Sequence, residues 1–547
     1  MDAHQPLRGA TAVIPAAGAV RGGVTSLGTV SSPAMLPLDG KPVIHWLMRR
    51  LNELGIDKFR LGVAQHDSQL ENFVRFNKPA NSQVEWKVLS GKVSVGEAVL
   101  DLCHGLEGPA LVVFGDTLFS LGDLVPPRDR PWILTGLVED SSEWCVVTVD
   151  EAGNVTDWFD KIPDAPSLNA AIGVYWVPRV EQLGASIRSS RTSLDVSELF
   201  RAVGPSGVLA LEAHEWLDCG RPRTYDVSRR RIVASRVFNQ LEFDELRGTV
   251  RKESTDPAKL IDEIQYLTDL PPVLKPYFPR TFGWSTDGAR PWIEMEYINY
   301  PTVTELFLYH ELPLPVWETF LDRMVWILRS FRSEEQTIPQ DDVQAMYEQK
   351  TEIRIAEGRS FREVEKLVGH EELVINGVEC IGLPALWERI REGLNLLSSS
   401  AIGAAIHGDL CFSNILHDPR SGIIRFLDPR GSFGRRGHFG DQRYDIAKLH
   451  HSMVGKYDHL VSGQFDLKAN DRVYDLEIGE TSFQRKVVEI YRNTVLNEYP
   501  ESEIDLITGL IFLGLSPLHV ESEPRQVAFM LQGIVLAEKG LDGLGVL

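Results

Sequence analysis

The chain has 547 residues and a formal net charge of −21, with 43% hydrophobic and 24% charged residues. This acidity argues against a broad nucleic-acid surface, because such surfaces are built from clustered Lys and Arg. No segment reaches the ~20 apolar residues that a membrane-spanning helix needs, and the N-terminus lacks a basic start followed by an apolar stretch, so we expect a cytoplasmic protein. The five cysteines form no CxxC pair, which argues against a disulfide framework and a structural zinc site.

The first half of the chain alternates short apolar runs with helical patterns. The run TAVIPAAG ends at Gly18 and precedes a loop rich in Gly, Ser and Thr, which is typical of a buried strand with a ligand-binding loop at its carboxyl end. KPVIHWLMRRLNELG predicts a helix that ends at Gly55, while FRLGVA, ALVVFG and WCVVTV predict further strands. This alternation predicts an α/β domain with a mostly parallel sheet.

Two aspartates in this half stand at strand ends. Asp116 in VVFGDTLF follows a predicted buried strand, and Asp218 lies in the turn-rich segment EWLDCGRPRTYD. Together they could share a divalent ion, because Mg²⁺ takes one or two carboxylates plus the oxygens of a substrate phosphate. For either residue alone, a turn is the simpler explanation.

The order of the motifs over residues 10–230 resembles that of the sugar nucleotidyltransferases, a family that includes nucleoside-diphosphate-sugar pyrophosphorylases and cytidylyltransferases. The motifs are AAG at 16–18, PAMLPLDGKPVI at 33–44, SVGEAVLD at 94–101, FGDT at 114–117, FDKIP at 159–163, AAIGVYWV at 170–177 and WLDCGRP at 216–222. The resemblance implies a GT-A-like Rossmann fold in which Ala17, Gly18 and Arg21 cradle the nucleotide. It also implies that the two strand-end aspartates hold Mg²⁺ and that Lys161 faces the phosphate end of the substrate.

Two positions depart from the family's pattern. Val20 stands where the second Gly of AAGxGxR is expected, so that Arg21 comes one position early. Pro33 stands where the family usually has a Lys that helps bind the triphosphate and stabilise charge at the attacked phosphorus. Lys41, Arg21 or Lys92 could compensate for it. The alternative is a first domain that binds a nucleotide without catalysing transfer.

The second half begins with a strand and helix that bear opposite charges. GTVRKES predicts a strand with Lys252, and DPAKLIDEIQYL predicts a helix with Glu263 on one face. Kinase-like folds use such a Lys–Glu pair to hold the α and β phosphates of ATP, although a surface salt bridge is the commoner arrangement. The following run WIEMEYINYPTVTEL predicts a strand and a hinge beneath adenine, with Glu296 among the nucleotide-binding residues.

HGDLCFSNIL at 407–416 and GIIRFLDPRG at 422–431 resemble the catalytic and metal-binding segments of aminoglycoside phosphotransferases and choline kinases. The resemblance implies that Asp409 orients or deprotonates the attacking hydroxyl, and that Asn414 and Asp428 bind Mg²⁺ on the phosphates of ATP. In GDQRYDIAKLHHS, which resembles the segment that follows the metal-binding Asp in this family, Asp445 is expected to support the catalytic loop.

Two further segments have open interpretations. RGSFGRRGHFG at 430–440 predicts either an ordered loop beside the substrate or a mobile surface loop. The helical pattern of MYEQKTEIRI aligns Tyr347, Lys350 and Arg354 on one face, which suits an acceptor pocket, although a solvated charged face is more common.

The sequence therefore predicts two domains, a nucleotidyltransferase-like domain at 1–235 and a two-lobed α+β kinase-like phosphotransferase domain at 236–547. We expect the kinase to phosphorylate a sugar or polyol with ATP and the first domain to transfer a nucleoside monophosphate from CTP or UTP to the product, giving a precursor for surface polysaccharide. Choline or another amino alcohol is the alternative acceptor. The expected partners are small molecules, with neither nucleic acid nor membrane, and the oligomeric state stays open.

Overall fold

The computed structural model describes residues 5–18, 30, 32–64, 68–89, 94–183, 195–203, 207–234, 239–244, 246–254, 256–287, 290–310, 312–332 and 336–547. The chain divides into two compact units, Met1–Ile232 (unit 1) and Val233–Leu547 (unit 2).

Unit 1 is a mixed α/β unit. Its strands are β1 (Thr11–Pro15), β2 (Pro37–Leu38), β3 (Lys41–Pro42), β4 (Lys58–Val63), β5 (Gln83–Val88), β6 (Ala110–Val113), β7 (Thr117–Ser120), β8 (Trp132–Leu137), β9 (Cys145–Val149), β10 (Val155–Asp160), β11 (Asn169–Val177), β12 (Leu209–Glu212) and β13 (Glu215–Asp218). Its helices are α1 (Val43–Glu53), α2 (Ser68–Asn77), α3 (Val95–Cys103), α4 (Val196–Val203) and α5 (Pro222–Ala234).

The main sheet of unit 1 joins a parallel half to an antiparallel half. Strands β5, β4, β1 and β6 run parallel in that order, and β11 then pairs antiparallel with β6, β8 and β9. The prediction of a mostly parallel sheet is therefore wrong for the second half of the unit. The apolar run of β11 matches a buried strand of either direction, because burial on both faces removes the alternation that marks a half-exposed strand.

Helix α1 shows how local sequence fixes an element of this unit. Its buried residues Val43, Ile44, Leu47, Met48 and Leu51 recur at helical spacing, so that one face packs against the core. Gly55 follows with φ +95°, a left-handed conformation in which glycine carries no steric cost, and this ends the helix where the sequence predicts.

Unit 2 begins with a strand-rich part and continues with a mainly helical one. Its strands are β14 (Asn239–Asp244), β15 (Thr249–Ser254), β16 (Thr281–Ser285), β17 (Trp292–Glu296), β18 (Glu372–Ile375), β19 (Val378–Ile381), β20 (Gly403–Ala405), β21 (Ile415–Asp418), β22 (Ile423–Phe426), β23 (Ser432–Phe433), β24 (Arg435–Arg436), β25 (Phe439–Asp441), β26 (Phe465–Asn470) and β27 (Val473–Ile478). Its helices are α6 (Pro257–Asp269), α7 (Val303–Tyr309), α8 (Leu314–Phe331), α9 (Gln340–Gln344), α10 (Lys350–Gly358), α11 (Arg362–Val368), α12 (Leu383–Ser399), α13 (Gln442–Met453), α14 (Tyr457–Val461), α15 (Ser482–Asn493), α16 (Glu501–Leu513) and α17 (Glu523–Gly543).

The first part of unit 2 is an antiparallel sheet in the order β14, β15, β17, β16, with α6 packed against it. The pattern of RRRIVASRVFNQLEFDE at 229–245 predicts a helical connector, and this prediction is wrong for the second half of the segment, which contains β14. The pairing of β14 with β15 across six residue pairs explains the difference, because ladder hydrogen bonds formed by tertiary contact override a weak local helical preference.

The second part of unit 2 is built around α13, all 12 residues of which are buried. This helix packs against α16, which packs in turn along α17. Because charged residues are rarely buried without partners, the polar residues of α13 are expected to be paired. A π turn at Ala345–Gln349 joins α9 to α10 in one continuous helix.

Candidate functional site

Unit 1 contains a cavity of about 580 Å³ beside the carboxyl ends of β1 and β6. Five of the residues that the sequence predicts for the nucleotide site line it, namely Ala17, Gly18, Asp116, Lys161 and Asp218. The sixth, Arg21, lies outside the described residues, as do Val20 and Lys92. The cavity is thus lined by residues that follow β1, by residues that follow β6 and by residues at the end of β13.

The two aspartates meet because β13 pairs with β7. The register sets Asp218 opposite Thr117, and the Cys219 amide donates to the carbonyl oxygen of Asp116 at 2.8 Å. A Cβ atom added to Gly220 would lie 2.2 Å from Oδ2 of Asp116 and 3.5 Å from Oδ1 of Asp218. Both carboxylates therefore approach the same small space, which only a glycine at position 220 leaves open.

Asp218 is buried and held by three donors. Thr224 Oγ1 donates to its Oδ2 at 2.5 Å, the Gly220 amide donates to Oδ1 at 3.3 Å, and Arg221 Nη1 lies 3.2 Å from Oδ2. A carboxylate fixed in this way keeps one orientation towards the cavity, which a metal ligand requires.

Arg221 is a functional candidate that the sequence analysis missed. Its guanidinium lies over the ring of Trp144 at 3.5 Å and donates to the carbonyl oxygen of Glu143 at 2.7 Å. Arg221 also lines the cavity beside Asp218. The sequence signal was the Arg inside WLDCGRP, but its contact with a segment 78 residues earlier could not be read from the motif.

The remaining cation predicted for this site is Lys161. Its backbone has φ +54°, its amide donates to the carbonyl oxygen of Trp144 at 2.8 Å, and its half-exposed ammonium lies 3.6 Å from Oδ2 of Asp160. Pro33 begins a short 3-10 turn in the cavity wall. Lys41 belongs to β3 and is not among the residues that line the cavity.

Unit 2 contains a second group of charged residues, centred on Lys252. Its ammonium donates to Glu263 Oε2 at 2.8 Å, to Glu263 Oε1 at 3.0 Å and to Asp428 Oδ1 at 2.6 Å. Lys252 and Glu263 are buried, while Asp428 is half exposed. Burial lowers the pKa of Lys252, but the two carboxylates outweigh it and raise that pKa above its usual value, so the ammonium stays charged.

The backbone of the 407–416 segment is held by hydrogen bonds to the carboxylate of Asp445, which belongs to α13. One carboxylate oxygen of Asp445 accepts from the His407 amide at 2.7 Å and the other accepts from the Gly408 amide at 2.8 Å. Burial raises the pKa of Asp445 to about 7, against the effect of these two amides. This is the geometry of a residue that supports the loop, the role expected for Asp445.

His407 joins the two motifs of unit 2 through its ring. Its Nδ1 accepts from the Asp409 amide at 3.2 Å, so Nε2 carries the proton and donates to the carbonyl oxygen of Leu427 at 2.9 Å. Burial lowers the pKa of His407 to about 4, which keeps the ring neutral near pH 7. The His407 ring thereby connects the backbone of Leu427, the residue before Asp428, with the backbone of Asp409.

Asp409 is held by Asn414 and Lys448. The Asn414 amide nitrogen donates to the backbone oxygen of Asp409 at 2.9 Å and to its Oδ2 at 3.3 Å, while Lys448 Nζ lies 2.9 Å from Oδ1. Burial would raise the pKa of Asp409, but the charge of Lys448 outweighs it and holds that pKa below its usual range. Lys448 is a second residue that sequence reasoning missed.

Asp409 and Asp428 open into a cavity of about 520 Å³ that Tyr347, Lys350 and Arg354 also line. All three members of the helical face predicted for an acceptor pocket are therefore brought to Asp409. Glu296 lies elsewhere, exposed at the end of β17, where its carboxylate accepts from the Arg280 amide at 3.3 Å. Its role beneath adenine stays a prediction.

The loop at 430–440 is folded into a small hairpin, β23 with β24, and β25 then pairs with β20. Arg435 pairs with Asp342, and Arg436 Nε lies 2.5 Å from Asp262 Oδ1. The segment thus forms paired strands, and its place beside a substrate stays a prediction.

The donor atoms of both units fit Mg²⁺. Within the described ranges, no group of three or more His, Cys, Asp or Glu side chains is arranged to hold a metal ion. Mg²⁺ needs fewer protein ligands, because it keeps waters and binds substrate phosphates. Asp116 and Asp218 supply two carboxylates in unit 1. In unit 2, Asp428 supplies a carboxylate, and Asn414 supplies its amide oxygen, since its nitrogen is used on Asp409.

Comparison with known proteins relates part of the chain to sugar nucleotidyltransferases. No family model matches the chain. The low-salt glycan biosynthesis nucleotidyltransferase Agl11 of Haloferax volcanii is 23% identical over 244 residues, which cover 41% of this chain and 65% of that protein. The chain thus spans just under two thirds of the length of this curated relative.

Solved structures similar to the chain cover the same share of it. HddC from Yersinia pseudotuberculosis is 19% identical with a TM-score of 0.34, covering 41% of this chain and 99% of that one. A UDP-glucose pyrophosphorylase complexed with UDP-glucose is 18% identical with a TM-score of 0.36, covering 42% and 99%. The inositol-1-phosphate CTP transferase from T. maritima is 14% identical with a TM-score of 0.34, covering 41% and 96%.

None of the helices in the described parts of the chain is both long and apolar enough to cross a membrane.

Proposed function

We propose that the chain is a bifunctional transferase. Unit 2 phosphorylates a hydroxyl group of a small molecule with ATP, and unit 1 couples the resulting phosphate to a nucleoside monophosphate from CTP or UTP. The observation that carries the proposal is the meeting of Asp116 and Asp218 around Gly220 in a cavity of a unit that resembles Agl11. The kinase half is supported by the contacts of Lys252 with Glu263 and Asp428 and by the Asp409, Asn414 and Lys448 cluster.

In the kinase step, Asp409 accepts the proton of the acceptor hydroxyl as that oxygen bonds to the γ-phosphorus of ATP. The bond from the γ-phosphorus to the bridging oxygen breaks, and ADP leaves. Lys448 keeps Asp409 ionised and fixed in place, while Lys252, braced by Glu263, holds the phosphates of ATP. Asn414 and Asp428 would hold Mg²⁺, which neutralises phosphate charge when it is bound.

In the transfer step, an oxygen of the phosphorylated product bonds to the α-phosphorus of CTP or UTP, and the bond to the β-phosphate breaks, releasing pyrophosphate. Ala17 and Gly18 flank the nucleotide, and Lys161 lies at the phosphate end of the acceptor. Asp116 and Asp218 would hold the metal of this site. Most of the catalysis comes from alignment of the two phosphates and from charge stabilisation.

A second candidate function concerns unit 1. Pro33 lines the cavity where the family usually has a Lys, which favours a unit 1 that binds a nucleotide and regulates the kinase without transferring it. Arg221 offers a cation beside Asp218 and favours the catalytic alternative.

A sugar or polyol is the acceptor we favour, because Agl11 is named for glycan biosynthesis. We accordingly propose a precursor for a surface polysaccharide, made in the cytoplasm where nucleoside triphosphates are available. Choline and other amino alcohols remain the alternative acceptors. No partner beyond nucleotides and the acceptor enters the proposal, and the oligomeric state stays open.

The test is an incubation of the full-length protein with Mg²⁺, ATP and pools of sugars, polyols, sugar phosphates and amino alcohols, with CTP or UTP added in turn. ADP and pyrophosphate are measured separately. We expect both products to depend on the same acceptor. Asp409→Asn should abolish ADP, and with it pyrophosphate wherever the acceptor is supplied without a phosphate, whereas Asp218→Asn should abolish pyrophosphate alone. ADP without pyrophosphate under either nucleotide would favour the regulatory alternative, and the absence of ADP with every pool would refute the kinase assignment.

A further inference from the structure

The cavity beside Asp409 is lined by three cationic side chains that make no ion pair with a described residue. Lys350 and Arg354 approach from α10, and Arg430 approaches from the segment after Asp428. Apolar side chains also line the cavity, namely Ile507, Leu510, Ile511, Leu515 and Leu518. A cavity with both cationic and apolar lining suits a ligand with a charged end and a carbon skeleton.

The polar contacts of Lys350, Arg354 and Arg430 are with uncharged atoms. Lys350 Nζ lies 3.3 Å from the Tyr444 hydroxyl and 3.7 Å from Met346 Sδ, Arg354 Nη1 donates to the Gly514 carbonyl at 3.5 Å, and Arg430 Nη1 donates to the Tyr444 hydroxyl at 3.3 Å. Among the residues that the structure describes, no carboxylate lies within ion-pairing distance of any of the three.

The carboxylates around the cavity have other partners. Asp409 pairs with Lys448, Asp428 pairs with Lys252, and Asp262 pairs with Arg436. Asp256 caps α6, where its side chain accepts from the Lys259 amide at 3.3 Å. Lys350, Arg354 and Arg430 therefore make no ion pair with a described acid of the cavity, whereas Lys259 and Asp256 of the lining are exposed.

Such an arrangement costs stability in the absence of a ligand. Burial lowers the pKa of Lys350 well below its usual value, and the neighbouring charges of Arg430, Arg354 and Lys448 lower it further. Partly buried cations without a counter-charge are unfavourable because their desolvation is not repaid. A bound anion would repay it, and Arg guanidinium groups match phosphate and carboxylate oxygens two at a time.

We propose that Lys350, Arg354 and Arg430 bind an anionic group of the acceptor, so that the hydroxyl compound phosphorylated beside Asp409 already carries a phosphate or a carboxylate. Three cations favour the phosphate, which bears up to two negative charges. This inference rests on the proposed kinase function of unit 2. It also opposes a choline acceptor, since a quaternary ammonium would meet like charges and the ring of Tyr444 already faces Lys350 at 5.5 Å.

The first arm of the test measures ADP formation with two matched series, glycerol, glycerol 3-phosphate and glycerate, and glucose, glucose 6-phosphate and gluconate, with choline as the cationic probe. We expect kcat/KM for the phosphate members to exceed that of the neutral members by about tenfold or more. Lys350→Met and Arg354→Met should each lower kcat/KM for the phosphate members by about tenfold or more and so remove this preference. A preference for the carboxylate members would keep the subsite and reassign its anion.

The second arm is independent of turnover. With Mg²⁺ and ADP saturating, binding of inorganic phosphate is measured by calorimetry for the wild type, for Lys350→Met with Arg354→Met, and for Arg389→Met, an exposed control that pairs with Glu392 on α12. We expect the double variant to bind phosphate about tenfold more weakly and the control to be unchanged. Lys350→Met should also unfold at a higher temperature than the wild type, because a partly buried amine that makes no ion pair is replaced by an apolar side chain.

The outcomes separate the two claims. ADP formed only with neutral acceptors or choline, at rates that Lys350→Met leaves unchanged, would overturn the anionic subsite while the kinase assignment stands. If the wild type forms no ADP with any acceptor and the double variant still binds phosphate more weakly than the wild type, the kinase assignment is refuted and the anion site is kept. Equal phosphate affinity in the wild type and the double variant would overturn the site directly.

Discussion

Lys448 Nζ lies 2.9 Å from Oδ1 of Asp409, and both residues belong to elements that meet only in the folded unit. Lys448 comes from the fully buried α13, which also supplies Asp445 beneath the loop. One helix therefore fixes the backbone of the loop and the side chain of its aspartate. We assign Lys448 as a positioning residue that acts through Asp409.

Replacing Lys448 with Met is expected to lower kcat for ADP formation by about 10²-fold and to leave KM for ATP nearly unchanged, because Lys252 is the residue proposed to hold ATP. Lys448→Arg keeps the positive charge and should recover part of kcat. Steady-state kinetics with ATP varied will separate kcat from KM. Equal losses in Lys448→Arg and Lys448→Met, with a lower melting temperature in both, would instead indicate a purely structural residue.

The contrast between Lys252 and Lys448 shows what the sequence could predict. Lys252 and Glu263 lie on a strand and the helix that follows it, so their meeting depends on local elements that the apolar spacing already defines. Asn414 likewise reaches Asp409 within one short segment. Lys448 and Arg221 reach their partners only through the packing of distant elements, which no local pattern encodes.

The fold likewise contains features that local sequence predicts and features that depend on contacts between distant elements. The α1 helix and the strands β4, β6 and β9 occur where the sequence patterns predict them. Strand β11 contains the predicted AAIGVYWV motif, but its antiparallel direction depends on the connections around it, and composition carries no information about direction. Glu296 shows the limit for sites, since an acidic residue at a strand end has the same local pattern whether it faces a ligand or solvent.

Gly220→Ala is expected to disable unit 1 selectively. The added Cβ would lie 2.2 Å from Oδ2 of Asp116, so the metal site proposed for the two aspartates would be disrupted. We expect pyrophosphate formation to fall by about 10²-fold or more while ADP formation stays at the wild-type rate. The two products are measured in parallel from the same preparation. A variant with normal pyrophosphate formation would contradict a shared metal site, and one with reduced ADP formation would indicate coupling between the two activities.

Arg443→Met is expected to destabilise unit 2 by about 3–5 kcal/mol, because it leaves a buried carboxylate without its cation. Arg443 is fully buried, and its Nη2 lies 2.6 Å from Asp441 Oδ2 while its Nη1 lies 2.8 Å from Glu503 Oε2. Arg391→Met is the matched control, since Arg391 is exposed and pairs with Glu352 at 2.8 Å. Urea unfolding should show a free energy of unfolding lower by under about 1 kcal/mol for the control. Similar decreases in both variants would contradict a special role for the buried ion pairs of Arg443.

The pH dependence of stability is testable at His417. Burial lowers the pKa of His417 to about 4, against the bond of its Nδ1 with the Ile423 carbonyl oxygen at 3.1 Å. Because the unfolded chain binds this proton near pH 6.5, the neutral folded form is favoured above that pH, and stability is lost as the pH falls from about 6.5 to about 4. His417→Asn keeps a donor for the carbonyl and removes the titration.

We therefore expect urea unfolding of His417→Asn to lose less stability than the wild type between pH 7 and pH 4.5, with a pH slope smaller by up to about one proton. The two proteins should differ most in slope near pH 5. Phe320, whose ring centroid lies 5.0 Å from that of His417, keeps its position in the core and serves as a packing reference by NMR. Parallel pH profiles for the two proteins would show that His417 titrates alike in the folded and unfolded chain, contrary to the effect of its burial.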